Sequence, residues 1–243
     1  MGWCLMGTVL VTGATGGIGA AIVGELHERG HQVIAMGRDA AALEDLAGRF
    51  PGSVRWIAAD LRRPEALAGL VGDVDRLDGL VHNAGIAPVA SVADTPYVMW
   101  REILTVNVMS AAELTRVLLP ALRAAAGHVM FINAAPGLGT APRWSAYAAS
   151  KAALRELADS LREEEAPNDV RVTTVYPGGT ATDLLERVRA EFGQPYDPEA
   201  AISPRSLATL IINALEAPSD VHPVELSLRF TPQQGRKPGH GPR

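Results

Sequence analysis

The stretch Val9-Leu10-Val11-Thr12-Gly13-Ala14-Thr15-Gly16-Gly17-Ile18-Gly19 decides how the rest of the chain is read. An apolar run breaks into glycines and then into a helical pattern, the signature of a strand, a tight turn and a helix N-terminus. Gly13, Gly17 and Gly19 let the backbone turn sharply and come close to a phosphate, with Thr15 and Ile18 inside the same bend. The freed N–H groups and the positive end of the helix attract that anion. A Gly-rich turn with no ligand is the plainer alternative, but strand and helix flank the bend in the order that a dinucleotide cradle requires.

Working outward, 243 residues suffice for one large α/β domain, and no break in composition divides it. The net charge of −5 offers no basic surface to a nucleic-acid backbone or an anionic membrane. Cys4 is the only cysteine, so no intrachain disulfide forms. Met1–Leu10 has no basic region followed by a long apolar stretch, and no apolar run reaches the roughly 18 residues of a membrane span. Gly2 is not followed by the Ser or Thr that myristoylation wants, since Met6 stands there. The expectation is a cytoplasmic protein without a metal site.

Strands and helices then alternate. Residues 20–29 form a helix ended by Gly30, 32–36 a strand, 40–49 a helix and 54–58 a strand. The second strand runs into Gly37-Arg38-Asp39, where a dinucleotide fold places the residue that inspects the adenosine ribose. An acid there would bind a free 2′-hydroxyl; the planar fork of Arg38 suits a 2′-phosphate, so NADP is expected rather than NAD. Gly16 leaves the glycine bend without a second basic residue, and a solvated arginine at a helix start is the alternative. Asp60-Leu61 closes the third strand, where Asp60 can meet the adenine amino group, cap the helix expected over 63–71, or do both. Leu77–Val81 is a fourth strand, closed by His82-Asn83-Ala84-Gly85, small residues that let a cofactor lie against the chain, although Asn83 also suits a turn.

Residues 96–126 form a long helix in which Asn107 is a poor helix former that some bond must explain, to water or to a freed carbonyl. Pro120 should loosen its last turns and Gly127 should end it, before a strand over 128–132. A helix over 145–166, a strand over 170–176, a polar cover over 183–201, a helix over 204–216 and a strand over 223–228 complete the pattern. Residues 231–243 carry little to bury and are expected to be disordered.

Tyr147 and Lys151 stand four residues apart, one above the other on a helical face. A neighbouring ammonium favours the phenolate and should draw the phenol's pKa down from its usual value of about 10, so that Tyr147 can trade a proton with an alkoxide or alcohol.

With that pair in place, the chain resembles the short-chain dehydrogenase/reductase family over nearly its whole length. Thr-Gly-x-x-x-Gly-x-Gly falls on Thr12–Gly19, Asn-Ala-Gly on Asn83–Gly85, the helix asparagine on Asn107, Tyr-x-x-x-Lys on Tyr147 and Lys151, and Pro-Gly on Pro177-Gly178. The resemblance implies a doubly wound (Rossmann) parallel β-sheet of about seven strands, one domain over 1–230, and hydride transfer between NADPH and a carbonyl or alcohol substrate. Tyr147 would be the acid/base, Lys151 would tune it and hold the nicotinamide ribose, and Asn107 would hold a water of a proton relay. Thr180 and Thr182 would fix the carboxamide. The implied cofactor set is Gly13, Thr15, Gly17, Ile18, Gly19, Arg38, Asp60, Leu61, Asn83, Ala84, Gly85, Tyr147, Lys151, Pro177, Gly178, Thr180 and Thr182. A homodimer or homotetramer packed through the two long helices is also implied.

One position departs from the family. The slot for a serine that hydrogen-bonds the substrate carbonyl falls on Ala134, and losing one such donor costs on the order of 10²–10³ in rate. Three readings are open: an introduced Ser→Ala change; a natural alanine with Asn133, Ser145 or water donating instead; or an NADP-binding sensor or scaffold protein without turnover. The pleat should turn Asn133 to the opposite face, and Ser145 equally suits a helix cap. Residues 134–143, 89–95 and the cover should wall an apolar pocket lined by Leu138, Trp144, Phe192 and Tyr196, each of which also suits plain packing.

Overall fold

The computed structural model describes residues 7–135 and 142–232. The expectations placed on Gly2, Cys4, Met6, Leu138 and the tail beyond 232 lie outside the described residues. Strands β1 (Thr8–Thr12), β2 (Gln32–Gly37), β3 (Val54–Ala58), β4 (Gly79–His82), β5 (His128–Ile132), β6 (Arg171–Pro177) and β7 (Glu225–Leu228) form one sheet in the order β3-β2-β1-β4-β5-β6-β7. Every pairing is parallel.

Helices cover both faces, which is why the strands read as continuous apolar runs rather than alternating ones. Val9 and Val11 of β1 face helices α1 (Gly17–Glu28), α2 (Ala40–Gly48) and α8 (Pro204–Leu215), through Ile22, Leu26, Leu43, Leu207 and Ile211. Leu10 faces the other layer, the short α3 (Leu67–Leu70) with α5 (Ser110–Ala125) and α6 (Ser145–Glu165), through Leu67, Leu114, Leu118, Leu154 and Leu161. The chain winds outward from β1 in one direction and from β4 in the other. A crevice therefore opens beyond the carboxyl ends of β1 and β4, where ligands bind in such sheets.

The helix expected over 96–126 is three pieces: α4 (Tyr97–Leu104), a π-bulge over Thr105–Met109, and α5. It ends at Ala125, before the expected Gly127, because Ala126 takes the left-handed conformation (φ 48°) that closes the last turn. Gly127 has a different reason to be glycine: a Cβ there would meet the Leu77 carbonyl at 2.6 Å. Against the sequence expectation, 97–125 is long and apolar enough for a membrane span. Its apolar residues Ile103, Leu114, Leu118 and Leu122 are buried in the fold.

The glycine bend is built on close approach. Gly13 has φ +64°, and a Cβ on Gly19 would strike the Gly13 carbonyl, with the Asn83 side-chain nitrogen 2.8 Å away. Backbone cannot move aside cheaply. Gly19→Ala is therefore expected to cost about 2–4 kcal/mol in urea unfolding, while Gly48→Ala, in open space at the end of α2, should raise stability by about 0.5–1 kcal/mol. Equal midpoints for the two variants would refute the packing account of Gly19.

Candidate active site

The crevice is a groove of about 920 Å³. Of the sequence-predicted set, Gly13, Thr15, Gly17, Ile18, Arg38, Asp60, Leu61, Asn83, Ala84, Gly85, Ala134, Tyr147, Lys151, Pro177, Gly178, Thr180 and Thr182 line it. Gly19 and Asn107 do not. Gly19 is packed beneath the bend, and Asn107 lines a small cavity behind the groove wall.

The mouth of the glycine bend fits a phosphate. Gly16 stands at the N-cap of α1 with no side-chain cap, and no acidic residue lies in the first turn, so neither a side-chain acceptor nor a negative charge competes for that helix end. Asn83 holds the bend shut by donating from its amide to the carbonyls of Thr12 (3.1 Å) and Gly13 (3.2 Å). The Thr12 hydroxyl in turn accepts from the Asn83 and Ala84 N–H groups at 3.0 and 3.1 Å. Gly17 is glycine because the Thr182 methyl occupies its Cβ space, with the nearest atom at 2.6 Å. Thr182 also caps α7 (Asp183–Glu191), accepting from the Leu185 N–H at 3.3 Å, so the cover docks on the bend through one side chain. Thr180 donates to the Gly178 carbonyl at 3.1 Å.

At the end of the groove formed by β2 and β3, the Arg38 guanidinium stands near Asp60, close enough to contribute to lowering its pKa, and Thr15 lies beside Gly37. Asp60 is not the expected helix cap: a 3₁₀ turn starts at Pro64, preceded by Arg63 without a side-chain bond. Asp60 instead accepts from the backbone N–H of Arg62 (3.0 Å) and takes its guanidinium on both oxygens, which holds the carboxyl below its usual range. Arg62 reaches toward Glu102 of α4 at 4.0 Å and lines the groove, a role no periodicity in the sequence marked.

The catalytic end is tied together by Asn107. Asn107 sits in the π-bulge, and its side-chain amide bonds a backbone carbonyl, one of the two partners expected for it. Its oxygen accepts from the Ile86 N–H and its nitrogen donates to the Ile86 carbonyl, each at 2.9 Å. The nitrogen also donates to the Ser150 hydroxyl at 2.9 Å, which donates to the Tyr147 carbonyl at 2.7 Å. Lys151 Nζ donates to the Ile132 carbonyl at 2.9 Å and lies 5.8 Å from the centre of the Tyr147 ring. Burial lowers the amine to about 8. Burial also pushes the phenol up to about 12, opposite to the expected depression. With the ammonium spent on a carbonyl, desolvation is what decides that group.

Beside Ala134, the Asn133 amide donates to the Lys151 carbonyl at 3.0 Å and accepts from the Ala134 N–H at 2.9 Å. Ser145 does not cap α6; Trp144 is the N-cap residue, and the Ser145 hydroxyl is buried without a partner among the described residues. Trp144 stacks on Tyr147 (4.8 Å between centres, 26° between planes), and Phe192 packs edge-on against Trp144 at 5.6 Å. Both line the groove, as does Pro142. Tyr196 and the loop 89–95 do not, although that loop bonds to its surroundings through Val89 N–H to Glu191 and Ala90 N–H to Arg143.

Residues 7–192 match the family model described as short chain dehydrogenase. An uncharacterized short-chain type dehydrogenase/reductase of Sinorhizobium fredii is 35% identical over 232 residues, covering 92% of this chain and 91% of its own. A short-chain dehydrogenase from Streptomyces avermitilis superposes with a TM-score of 0.82 at 30% identity, covering 94% of this chain and 89% of that one. A metagenomic short-chain oxidoreductase solved in complex with NADP has a TM-score of 0.79 at 29% identity, covering 93% and 97%.

The buried amine has a consequence for stability. Its folded pKa of about 8 lies below the ordinary 10.5, so folding disfavours the cation. The penalty is complete below about pH 8 and gone above about 10.5. Relative to Lys151→Met, the wild-type chain should therefore gain up to about 3 kcal/mol as pH rises across that window, read by urea unfolding at several pH values. A stability difference independent of pH would contradict the burial account.

Proposed function

Because the chain belongs to the short-chain dehydrogenase/reductase family, an oxidoreductase family acting on small molecules, we propose that it is an NADP(H)-dependent enzyme that reduces a carbonyl compound to an alcohol, or runs the reverse. The observation that carries this reading is one groove with a phosphate-sized glycine bend at one end and the Tyr147–Lys151 pair at the other. Thr15, Gly37 and Arg38 would receive the 2′-phosphate, and Asp60 with Leu61 the adenine. Lys151 would hold the nicotinamide ribose, and Thr180 and Thr182 the carboxamide. When bound, the dihydronicotinamide would supply a hydride, a proton with two electrons, to the carbonyl carbon. Tyr147 gives its hydroxyl proton to the oxygen on which that electron pair settles, so C=O becomes CH–OH. A phenol pushed up by burial stays protonated at neutral pH, the form a proton donor needs. Lys151, whose Nζ lies 5.8 Å from the centre of the Tyr147 ring, would support the phenolate left behind.

Ala134 is the weak point, and it favours a second reading, an NADP-binding sensor without turnover. Asn133 spends one of its two amide N–H groups on the Lys151 carbonyl. A homo-oligomer remains part of the proposal; Tyr97, Val98 and Met109, 74%, 58% and 54% exposed, are large hydrophobic residues available to it along the long helical run.

Restoring the missing donor by Ala134→Ser should raise kcat on ketones and aldehydes by about 10²–10³ with NADPH affinity unchanged. NADPH binding without turnover in either form would favour the sensor. Arg38→Asp should move cofactor preference from NADPH toward NADH by about tenfold or more, measured as the ratio of kcat/KM for the two cofactors or, without turnover, of their Kd values. An unchanged ratio would place the 2′-phosphate elsewhere.

A further inference from the structure

Among the described residues, three other than glycine have a left-handed backbone: Ala126, Arg143 and Asp169. Ala126 closes α5 and Asp169 closes the 3₁₀ turn after α6, the usual place for that conformation. Arg143 closes no helix. It stands in the turn before α6 at φ 65°, where glycine would be unstrained and a long side chain is an outlier. Such strain persists where the surrounding contacts over-determine it. The Arg143 carbonyl accepts from the Ala90 N–H at 2.8 Å, which ties the turn to the loop after β4. Its guanidinium donates to the Glu191 carbonyl at 3.2 Å and lies over the Phe192 ring, 5.7 Å from the centre. The Glu191 carboxylate accepts in turn from the Val89 N–H at 3.2 Å. The end of the cover is thereby fastened both to that loop and to the turn before α6.

Resting on the reductase reading, we propose that Arg143 is a positioning residue for the reaction: it latches the end of the cover and, through Phe192 and Trp144, holds the ring of Tyr147 in place. Arg143 does not itself line the groove, so it acts through other side chains. Phe192 meets Trp144 edge-on at 5.6 Å, and Trp144 stacks on Tyr147 at 4.8 Å. A chain of ring contacts therefore runs from the guanidinium to the phenol. Arginine suits both ends of the task, because its planar fork lies over a ring and still has N–H groups for a carbonyl. Each contact is weak alone, but all of them act on the same turn of the cover. The other end of the cover has its own anchor, the Thr182 methyl against Gly17 with the Thr182 hydroxyl capping α7. Loss of the latch therefore leaves the glycine bend as it is.

Arg143→Gly separates positioning from packing, because glycine relieves the backbone while removing the latch. Its urea midpoint should stay near or above that of the wild type. The whole chain is labelled with 5-fluorotryptophan, and Trp144→Phe assigns one of the four fluorine signals. In Arg143→Gly the Trp144 signal should move as it does in Phe192→Ala, while the other three stay. A Trp144 signal left in place overturns the proposal whether or not the chain turns over. Movement of all four signals with a fallen urea midpoint marks a structural role and overturns it too. In NADPH oxidation with an aryl ketone, with Ala134→Ser as background if the parent is slow, Arg143→Gly should lower kcat about tenfold and leave the KM for NADPH unchanged, and Arg143→Lys should recover part of the loss. An unchanged kcat, or a loss carried by the KM for NADPH, overturns the proposal. Absence of oxidation in every background counts against the reductase reading, and the fluorine signal still decides this one.

Discussion

One asparagine amide holds the Tyr147–Lys151 half of the groove in place. Asn107 bonds both backbone groups of Ile86 and the hydroxyl of Ser150, so the loop after β4, the bulged helix and α6 meet on a single side chain. Each bond contributes only about 1 kcal/mol net, but an Ile86 N–H or carbonyl buried and unpaired would cost more than that. Gly85 sits under this knot because a Cβ would lie 3.3 Å from the Asn107 oxygen and 3.8 Å from Lys151 Nζ.

From that knot the reactive pair follows. Ser150 passes the constraint to the backbone of Tyr147, and Lys151, the next residue, is drawn to the Ile132 carbonyl at the end of β5. Both groups are then desolvated, the amine pushed down to about 8 and the phenol up to about 12. Two titratable groups moved toward their neutral forms in one groove are the pattern that singles out a candidate functional site. The opposite end of the groove has no such tension: the glycine bend is held by Thr12 and Asn83 through backbone carbonyls and N–H groups alone.

The sheet was legible because parallel strands covered on both faces announce themselves as apolar runs, and the bounds expected for β3 and β5 match the structure. Helix ends were less legible. Gly127 looked like a stop signal, yet Ala126 carries the positive φ, because the glycine was needed for contact with the Leu77 carbonyl. Most motif residues fell in the groove, those of the glycine bend, Asn83–Gly85 and Pro177-Gly178 because each follows the carboxyl end of a strand, while Gly19 and Asn107 lie outside its lining. What spacing does not encode is where a side chain points. That is why the Tyr147–Lys151 pair was read as a direct electrostatic couple when the amine faces a carbonyl, and why Arg62, the hold of Arg143 on the cover and the true partners of Asn107 emerge only in three dimensions.

The claim on which this account rests is that Asn107 preassembles the site before any ligand arrives. Hydrogen exchange at the Ile86 amide in the ligand-free chain reports on it directly, because that N–H has the Asn107 oxygen as its acceptor. The account predicts slow exchange in the wild-type protein and loss of that protection in Asn107→Ala while β-sheet amides stay protected. Fast exchange at Ile86 in the wild type, or protection unchanged by the substitution, would contradict it.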